Sequence, residues 1–317
     1  MLELLRTQPA VFVGVLFALG LCVGSFLNVV IHRLPRMWDR DQIEGVAEWA
    51  EVTGGQADQA FATLPPADRP ALRGQLVAIA ETFRSLLAAL PRETLVTPRS
   101  RCGMCGHRIS ACQNIPVLSF IWLRGRCSAC AAAIGLRYPA IELLCGAVAA
   151  LIAGKFGVTP VAAAALLLFF WLVPLAVIDA ETTWLPNSCT LPLLWLGLIL
   201  NIFGLFAPVG EAVAGAVAGY LFLAIPAWSY EWLRKIPQAM GRGDFTLMAA
   251  LGAWFGVFAV LPIVMIATVV GLVVALPLLA AGKRDLLSRI PFGPYLAGAG
   301  MVYLFFGAAI VRWIDIG

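Results

Sequence analysis

Two aspartates stand at the ends of apolar segments, where the chain carries few other charges. Asp179 ends the run FFWLVPLAVID, and Asp244 follows Gly241-Arg-Gly243 and precedes another apolar run. A carboxylate at bilayer depth is costly, so an acid in this position is a functional candidate. Two facing carboxyl groups can activate a water molecule with one member and protonate a leaving group with the other. The pair is a candidate aspartic-protease dyad, with an interfacial helix cap as the structural alternative for each aspartate alone. Glu142 and Glu181, the other acids near apolar runs, are candidates of the same kind, and for Glu142 a helix-start residue facing the headgroups is the favoured interpretation.

Four cysteines form the second candidate site. Cys102 and Cys105 make one C-x-x-C pair, and Cys127 and Cys130 make another after 21 intervening residues. Two such turns can bring four thiolates to one tetrahedral centre, which is the geometry of a structural zinc site. A redox-active pair and simple buried thiols are the competing interpretations. A four-thiolate site is closed, so the expected zinc is structural and not catalytic.

The elements that must position these residues are membrane helices. The chain has 317 residues, of which 61% are hydrophobic and 13% are charged, whereas soluble domains average about 45–50% apolar and about 25% charged. A helix that crosses a bilayer needs about 20 apolar residues. The apolar runs of this chain predict an all-α integral membrane protein with about eight transmembrane helices. The first covers residues 9–31, and the others lie near 138–155, 159–179, 186–207, 211–233, 245–260, 262–282 and 292–312, with a break expected at Pro262.

The domain organisation follows from where the apolar runs stop. We expect a first transmembrane helix in residues 1–31, a polar domain in residues 32–137 and a membrane domain with about seven helices in residues 138–317. Within the polar domain, residues 37–97 predict a helical insert, and residues 98–137 carry the zinc-binding turns. A helix is predicted from Gln75 to Leu90, because its apolar residues recur with helical spacing.

The basic residues set the expected orientation. If residues 32–137 are cytoplasmic, 19 Lys and Arg residues lie inside and 3 lie outside, and the short loops alone give 6 against 3. Positive residues favour the cytoplasmic side of a membrane. The zinc loop and both aspartates are then at the cytoplasmic face, where disulfides are rare. The net charge of +4 is too modest to indicate nucleic-acid binding.

The chain resembles the bacterial type IV prepilin peptidase family, the bifunctional leader peptidases and N-methyltransferases. The resemblance rests on several blocks in the same order along the chain. They are Gly24-Ser-Phe-Leu-Asn28-Val-Val-Ile-His32-Arg33-Leu-Pro35, the two C-x-x-C pairs, Asn114-Ile-Pro116, Arg137-Tyr-Pro139 with Glu142, Asp179 with Leu185-Pro186 and Thr190-Leu-Pro192, and Met240-Gly-Arg-Gly-Asp244-Phe.

The resemblance implies about eight membrane helices with a cytoplasmic zinc-binding loop in the bacterial inner membrane. It implies that Asp179 and Asp244 cut the basic leader of type IV prepilins and type II secretion pseudopilins. It further implies that S-adenosylmethionine then methylates the new N-terminus. The chain departs from the family at Asn187, where an Asp is frequent, at Thr246, where a Lys is common, and at Gln113, where an acid is frequent.

Two other classes of protein compete with this interpretation. A proton-coupled transporter would also use intramembrane acids, but it would place them near the bilayer midplane and would not need the paired cysteines. A membrane thiol oxidoreductase would need its cysteines on the oxidising side, which the distribution of basic residues contradicts.

Overall fold

The computed structural model describes residues 7–110, 112–235, 240–280 and 291–315, and within them it is helical, without a β-strand. The all-α prediction is therefore confirmed. In chain order the helices are α1 (Pro9–Gly55), α2 (Ala57–Ala60), α3 (Arg69–Ala89), α4 (Leu118–Trp122), α5 (Arg137–Phe156), α6 (Pro160–Thr182), α7 (Asn187–Ile202), α8 (Val209–Arg234), α9 (Arg242–Phe255), α10 (Val260–Ala280) and α11 (Gly293–Asp315).

The chain divides into two compact units. One comprises residues 1–28, 112–126 and 133–317, and the other comprises residues 29–111 and 127–132. Helix α1 does not end near residue 31, where the apolar run stops, but continues through Pro35 to Gly55. It ends at the Gly54-Gly55 pair, because adjacent glycines favour leaving the helical conformation. The three-domain division expected from the sequence stays a prediction.

The unit of residues 29–111 and 127–132 contains the helical insert. Ala50 of α1 packs against Leu76 and Ala80 of α3 in a small apolar cluster. Arg40 donates hydrogen bonds to the carbonyl oxygens of Leu87 and Leu90, so it caps the C-terminal end of α3. The helix predicted at residues 75–90 is present, and it begins earlier than expected, at Arg69.

Among the described residues, six segments are long and apolar enough to cross a membrane. Five belong to α1, α5, α6, α8 and α11, and the sixth covers Val257–Pro277. The predicted runs near 186–207 and 245–260 correspond to α7 and α9, which have only 16 and 14 residues. Fourteen residues rise about 21 Å, less than the roughly 30 Å of a bilayer core. The chain is a multi-pass membrane protein, and the count of eight crossings stays a prediction.

The break between the runs predicted at 245–260 and 262–282 is at Gly256, not at Pro262. Helix α9 ends at Phe255, and Gly256 adopts a φ of 85°, which is unfavourable for a residue with a Cβ. A 3₁₀ turn at Val257–Ala259 leads into α10. Pro262 lies in the first turn of α10, where a missing N–H breaks no helical hydrogen bond.

Helix α9 lies at the centre of the membrane unit and is buried on all faces. Its side chains from Leu247 to Trp254 are shielded from solvent. Gly215 and Gly219, four residues apart on α8, face its backbone: a Cβ on Gly215 would lie 2.4 Å from the carbonyl oxygen of Gly252. Small residues at this spacing let two membrane helices approach closely. On the α7 side, Trp254 donates its indole N–H to the carbonyl oxygen of Leu193 at 2.9 Å.

We predict that Gly252→Ala destabilises the protein by about 1–3 kcal/mol, the usual effect of overpacking. The added Cβ would lie 2.1 Å from the carbonyl oxygen of Gly215, and neither backbone can move away without separating the two helices. The thermal unfolding midpoint of the detergent-purified protein measures the effect.

Gly298→Ala is the matched control, because a Cβ there meets no described atom within 4 Å. Its midpoint should stay within a degree or two of the wild type. Equal midpoints for the two variants would contradict a backbone-to-backbone contact between α8 and α9.

Candidate active site and metal centre

Asp179 lies in the last turn of α6, where its side chain is 3% exposed. Its Oδ2 accepts a hydrogen bond of 2.9 Å from the backbone N–H of Gly293, the first residue of α11. A helix N-terminus presents unpaired N–H groups to anions, so this contact suits a carboxylate. A Cβ on Gly293 would lie 2.8 Å from the same oxygen, so glycine is required for this approach. The hydrogen bond fixes the orientation of the Asp179 carboxyl group.

Asp244 lies in the first turn of α9 and is 7% exposed. Its Oδ1 is buried and has no hydrogen-bond partner within the described part of the chain. The two preceding glycines bring the backbone close to its neighbours. A Cβ on Gly243 would lie 2.4 Å from the carbonyl oxygen of Leu185, and one on Gly241 would lie 3.1 Å from Oδ2 of Asp244. An unpartnered buried carboxyl oxygen is costly, and such groups are typical of functional sites.

The two aspartates belong to one site. Leu185 contacts the positions of both, since its side chain lies against Gly293 beside Asp179 and its backbone lies against Gly243 beside Asp244. The carboxyl groups of Asp179 and Asp244 are close enough to interact electrostatically. Residues 65 positions apart in sequence thus meet at the ends of two helices. The catalytic role of the pair stays a prediction.

A polar bridge beside Asp244 joins α9 to α7. The hydroxyl oxygen of Thr246 lies 2.7 Å from that of Thr190 and 3.2 Å from Oδ1 of Asn187. The sequence singled out Asn187 and Thr246 separately, as departures from the family pattern, and did not predict that they touch. No local pattern could have predicted the contact, because the two residues belong to separate helices.

The four cysteines predicted as metal ligands form one cluster. Their sulfur atoms all lie within 4.8 Å of one another, and the Sγ atoms of Cys102 and Cys130 are 3.9 Å apart. Zinc–sulfur bonds of about 2.3 Å in a tetrahedron require sulfur–sulfur distances of about 3.8 Å. The donor set and its spacing therefore fit a four-thiolate zinc site.

The two cysteine turns have the same backbone design. In the first, the N–H of Cys102 bonds to the carbonyl oxygen of His107, and the N–H of Gly106 bonds back to that of Cys102. In the second, Cys127 bonds in the same way to Ala132 and Ala131. Gly106 and Ala131 both adopt the left-handed conformation, with φ of 70° and 58°. The repeated turn presents each cysteine pair to the same point.

Backbone N–H groups favour the thiolate form of the first cysteine in each pair. Hydrogen bonds from the N–H groups of Cys105 and Met104 lower the pKa of Cys102 to about 6. The N–H groups of Ala129 and Cys130 lower the pKa of Cys127. Metal ligation needs deprotonated sulfur, so these turns prepare two of the four ligands for a cation.

Cys130 shows why four thiolates need a cation. The N–H of Ala132 lowers its pKa, but hydrogen bonds to the neighbouring cysteine sulfurs, led by Cys105, together with desolvation outweigh this and raise the pKa to about 12. Four negative charges in so small a volume repel one another. A divalent cation would supply the compensating charge.

Glu142 and Glu181, the other acids beside apolar runs, have partners outside the aspartate pair. Glu142 is 8% exposed, so the interpretation that it faces the headgroups is wrong. Its Oε2 accepts a hydrogen bond of 2.7 Å from the N–H of Val117, the residue immediately before α4. Glu181 forms an ion pair with Arg137. Both contacts connect α5 to neighbouring segments of the same unit.

Comparisons with known proteins cover nearly the whole chain. Residues 18–156 match the bacterial peptidase A24 N-terminal domain, and residues 166–276 match the type IV leader peptidase family. No solved structure matches the chain.

Curated relatives named prepilin leader peptidase/N-methyltransferase are similar over their full length. The protein of Stutzerimonas stutzeri is 43% identical over 312 residues, covering 97% of this chain and 95% of its own. That of Aeromonas salmonicida (strain A449) is 40% identical over 316 residues, covering 99% and 97%. That of Pseudomonas aeruginosa is 41% identical over 316 residues, covering 98% and 96%. With identity at this level from end to end, the chain belongs to the type IV leader peptidase family.

Proposed function

We propose that this protein is a membrane aspartic endopeptidase that removes the leader of prepilins and then N-methylates the new N-terminus. The observation that carries the proposal is the buried pair Asp179 and Asp244, brought together around Leu185 in a chain of this family. The relatives that are similar from end to end carry both activities in their names.

The geometry of the pair suits peptide hydrolysis. One carboxylate accepts a proton from water as the water oxygen attacks the scissile carbonyl carbon. The other carboxyl group donates its proton to the leaving amine as the C–N bond breaks, so the proton count of the pair is restored. The N–H of Gly293 holds one oxygen of Asp179, which leaves the other oxygen for water or substrate.

The location of the aspartates at helix ends suits a substrate that is half in the membrane. A prepilin has a basic leader followed by an apolar helix, so its scissile bond can lie at the membrane interface. We propose that this interface is the cytoplasmic face of the bacterial inner membrane, since the short loops predicted on that side carry 6 basic residues against 3 on the other. Type II secretion pseudopilins share this design and are proposed as further substrates.

Methylation follows cleavage and uses S-adenosylmethionine as a second substrate. The methyl group passes from the sulfonium sulfur to the new N-terminal amine, which forms a C–N bond and loses a proton. The relatives' shared name supports this activity.

The transporter alternative does not explain these features. Asp179 and Asp244 lie in terminal turns of their helices, not at helix centres, and the chain matches peptidase families over residues 18–156 and 166–276.

We predict that Asp179→Asn and Asp244→Asn each lower prepilin cleavage by at least about 100-fold, because either change removes one member of the acid–base pair. Cleavage of a purified prepilin by the detergent-solubilised enzyme, followed by gel shift, measures the loss. Unchanged melting temperatures would show that the variants are folded.

Glu181→Gln is the matched control for these variants. Glu181 lies near the same helix end, but it is exposed and paired with Arg137. Its cleavage rate should stay within about threefold of the wild type. Cleavage near the wild-type rate by either aspartate variant would contradict the dyad.

We further propose that Cys102, Cys105, Cys127 and Cys130 hold one structural zinc ion. When bound, the ion would neutralise the clustered thiolates and fasten the two turns together. With four protein ligands it would have no open position for substrate, so catalysis would stay with the aspartates.

We predict that the wild-type protein purifies with about one zinc ion per chain and that Cys130→Ser lowers this content several-fold, because a four-thiolate site loses a ligand. Metal analysis of the purified protein measures the content. Cys112→Ser is the control, since Cys112 is exposed and lies outside the cluster. Wild-type protein without zinc, or full zinc content in Cys130→Ser, would overturn the assignment.

A further inference from the structure

We infer that Thr246 is a positioning residue for Asp244: its hydroxyl group, bridged to Thr190 and Asn187, fixes the rotation of the first turn of α9 and so the direction of the Asp244 carboxyl group. The inference rests on the proposed function, because it assigns a role in that same site.

The hydrogens of the bridge can be placed consistently. The Thr246 hydroxyl can donate one proton, and its acceptors within reach are Oδ1 of Asn187 at 3.2 Å and the carbonyl oxygen of Gly243 at 2.9 Å. The Thr190 hydroxyl, 2.7 Å away and fully buried, can donate to the oxygen of Thr246. Thr246 thus acts as donor and acceptor at once, and it connects the first turn of α9 with the first turn of α7.

The first turn of α9 contributes to the orientation of the Asp244 carboxyl group, because the side chain is attached there. Asp179 is held by the N–H of Gly293, whereas Oδ1 of Asp244 has no partner among the described residues. Thr246 is two positions after Asp244, so the two side chains point about 200° apart around α9. A hydrogen bond on the face opposite the carboxyl group therefore limits the rotation of the helix turn that carries it.

A small rotation would matter for catalysis. A carboxyl group about 5 Å from the helix axis moves by roughly 1 Å when the helix turns by about 10°. A displacement of about 1 Å in a catalytic group can lower the rate by about 100-fold. The contact of Gly243 with Leu185 fixes where the turn lies, and the Thr246 bridge fixes which way it faces.

The bridge is also neutral. Asn187, Thr190 and Thr246 are uncharged, so the bridge adds no formal charge to the helix turn that carries Asp244. A charge on this turn would change the relative stability of the protonated and ionised forms of Asp244. A neutral bridge can orient Asp244 without this effect.

The experiment compares Thr246→Val with Thr246→Ser in prepilin cleavage by the purified full-length enzyme. Valine keeps the shape of threonine but cannot form the bridge, and serine keeps the hydroxyl. We expect Thr246→Val to lower kcat by about 10- to 100-fold with KM changed less than threefold, and Thr246→Ser to recover most of the rate.

Thr182→Val is the matched control. Thr182 is near the end of α6, and its hydroxyl donates to the carbonyl oxygen of Ile178 within its own helix. Its removal should change kcat by less than threefold. Thr190→Val removes the other end of the bridge, so it should lower kcat by about as much as Thr246→Val. The kcat of the double variant should be no lower than that of either single variant.

The outcomes distinguish failure of the positioning role from failure of the proposed function. Wild-type kcat in Thr246→Val, a loss no greater than in Thr182→Val, or a loss that serine does not recover would overturn the positioning role. If Thr246→Val does not fold, Thr190→Val decides by the same measurement. Cleavage by Asp244→Asn at the wild-type rate would instead overturn the proposed function.

Discussion

The backbone of Gly243 lies directly against the backbone of Leu185, and the geometry of the aspartate site depends on this contact. A Cβ on Gly243 would be 2.4 Å from the carbonyl oxygen of Leu185, so no other residue can stand there without moving the turn. On its other side, the Leu185 side chain packs on Gly293, whose N–H holds Asp179. One residue in the segment between α6 and α7 therefore positions both acids. Burying two carboxyl groups together is costly, and it requires this rigid framework.

The packing of α9 against its neighbours also supports the aspartate site. Because α9 is buried on every face, its position is determined by neighbours on all sides and not by the bilayer. The glycines of α8 allow backbone contact on one side, and the indole of Trp254 bonds to α7 on another. With 14 residues, α9 is shorter than a bilayer crossing needs, and it is stable here because the surrounding helices shield it. Precision at the Asp244 end thus comes from packing along the whole helix.

The cysteine cluster, unlike the aspartate site, is not deeply buried. Its residues are exposed or half-exposed, and its turns are held by a few backbone hydrogen bonds. Such a small segment has little apolar surface to bury, and a metal ion can replace the missing core. The left-handed conformation of Ala131, where the matching position has Gly106, is a local strain that ligation of the neighbouring cysteines can offset.

The membrane class of the protein and its candidate site residues could be predicted from the amino-acid sequence. Long apolar runs predict helices, because a backbone in lipid must satisfy its own hydrogen bonds. The two C-x-x-C pairs were recognisable from residue type and short spacing, and each aspartate from its position at the end of an apolar run. These signals are local, and each can be found within a few dozen residues.

The ends of the helices and the contacts that support the site could not be predicted without the three-dimensional structure. Helix α1 continues to Gly55 although the apolar run ends near residue 31, and the break predicted at Pro262 is at Gly256. The contact of Thr246 with Asn187 and that of Gly252 with Gly215 join residues from separate helices, so no local pattern contains them. The physical reason is that helix periodicity is encoded in neighbouring residues, whereas close packing depends on which helices meet.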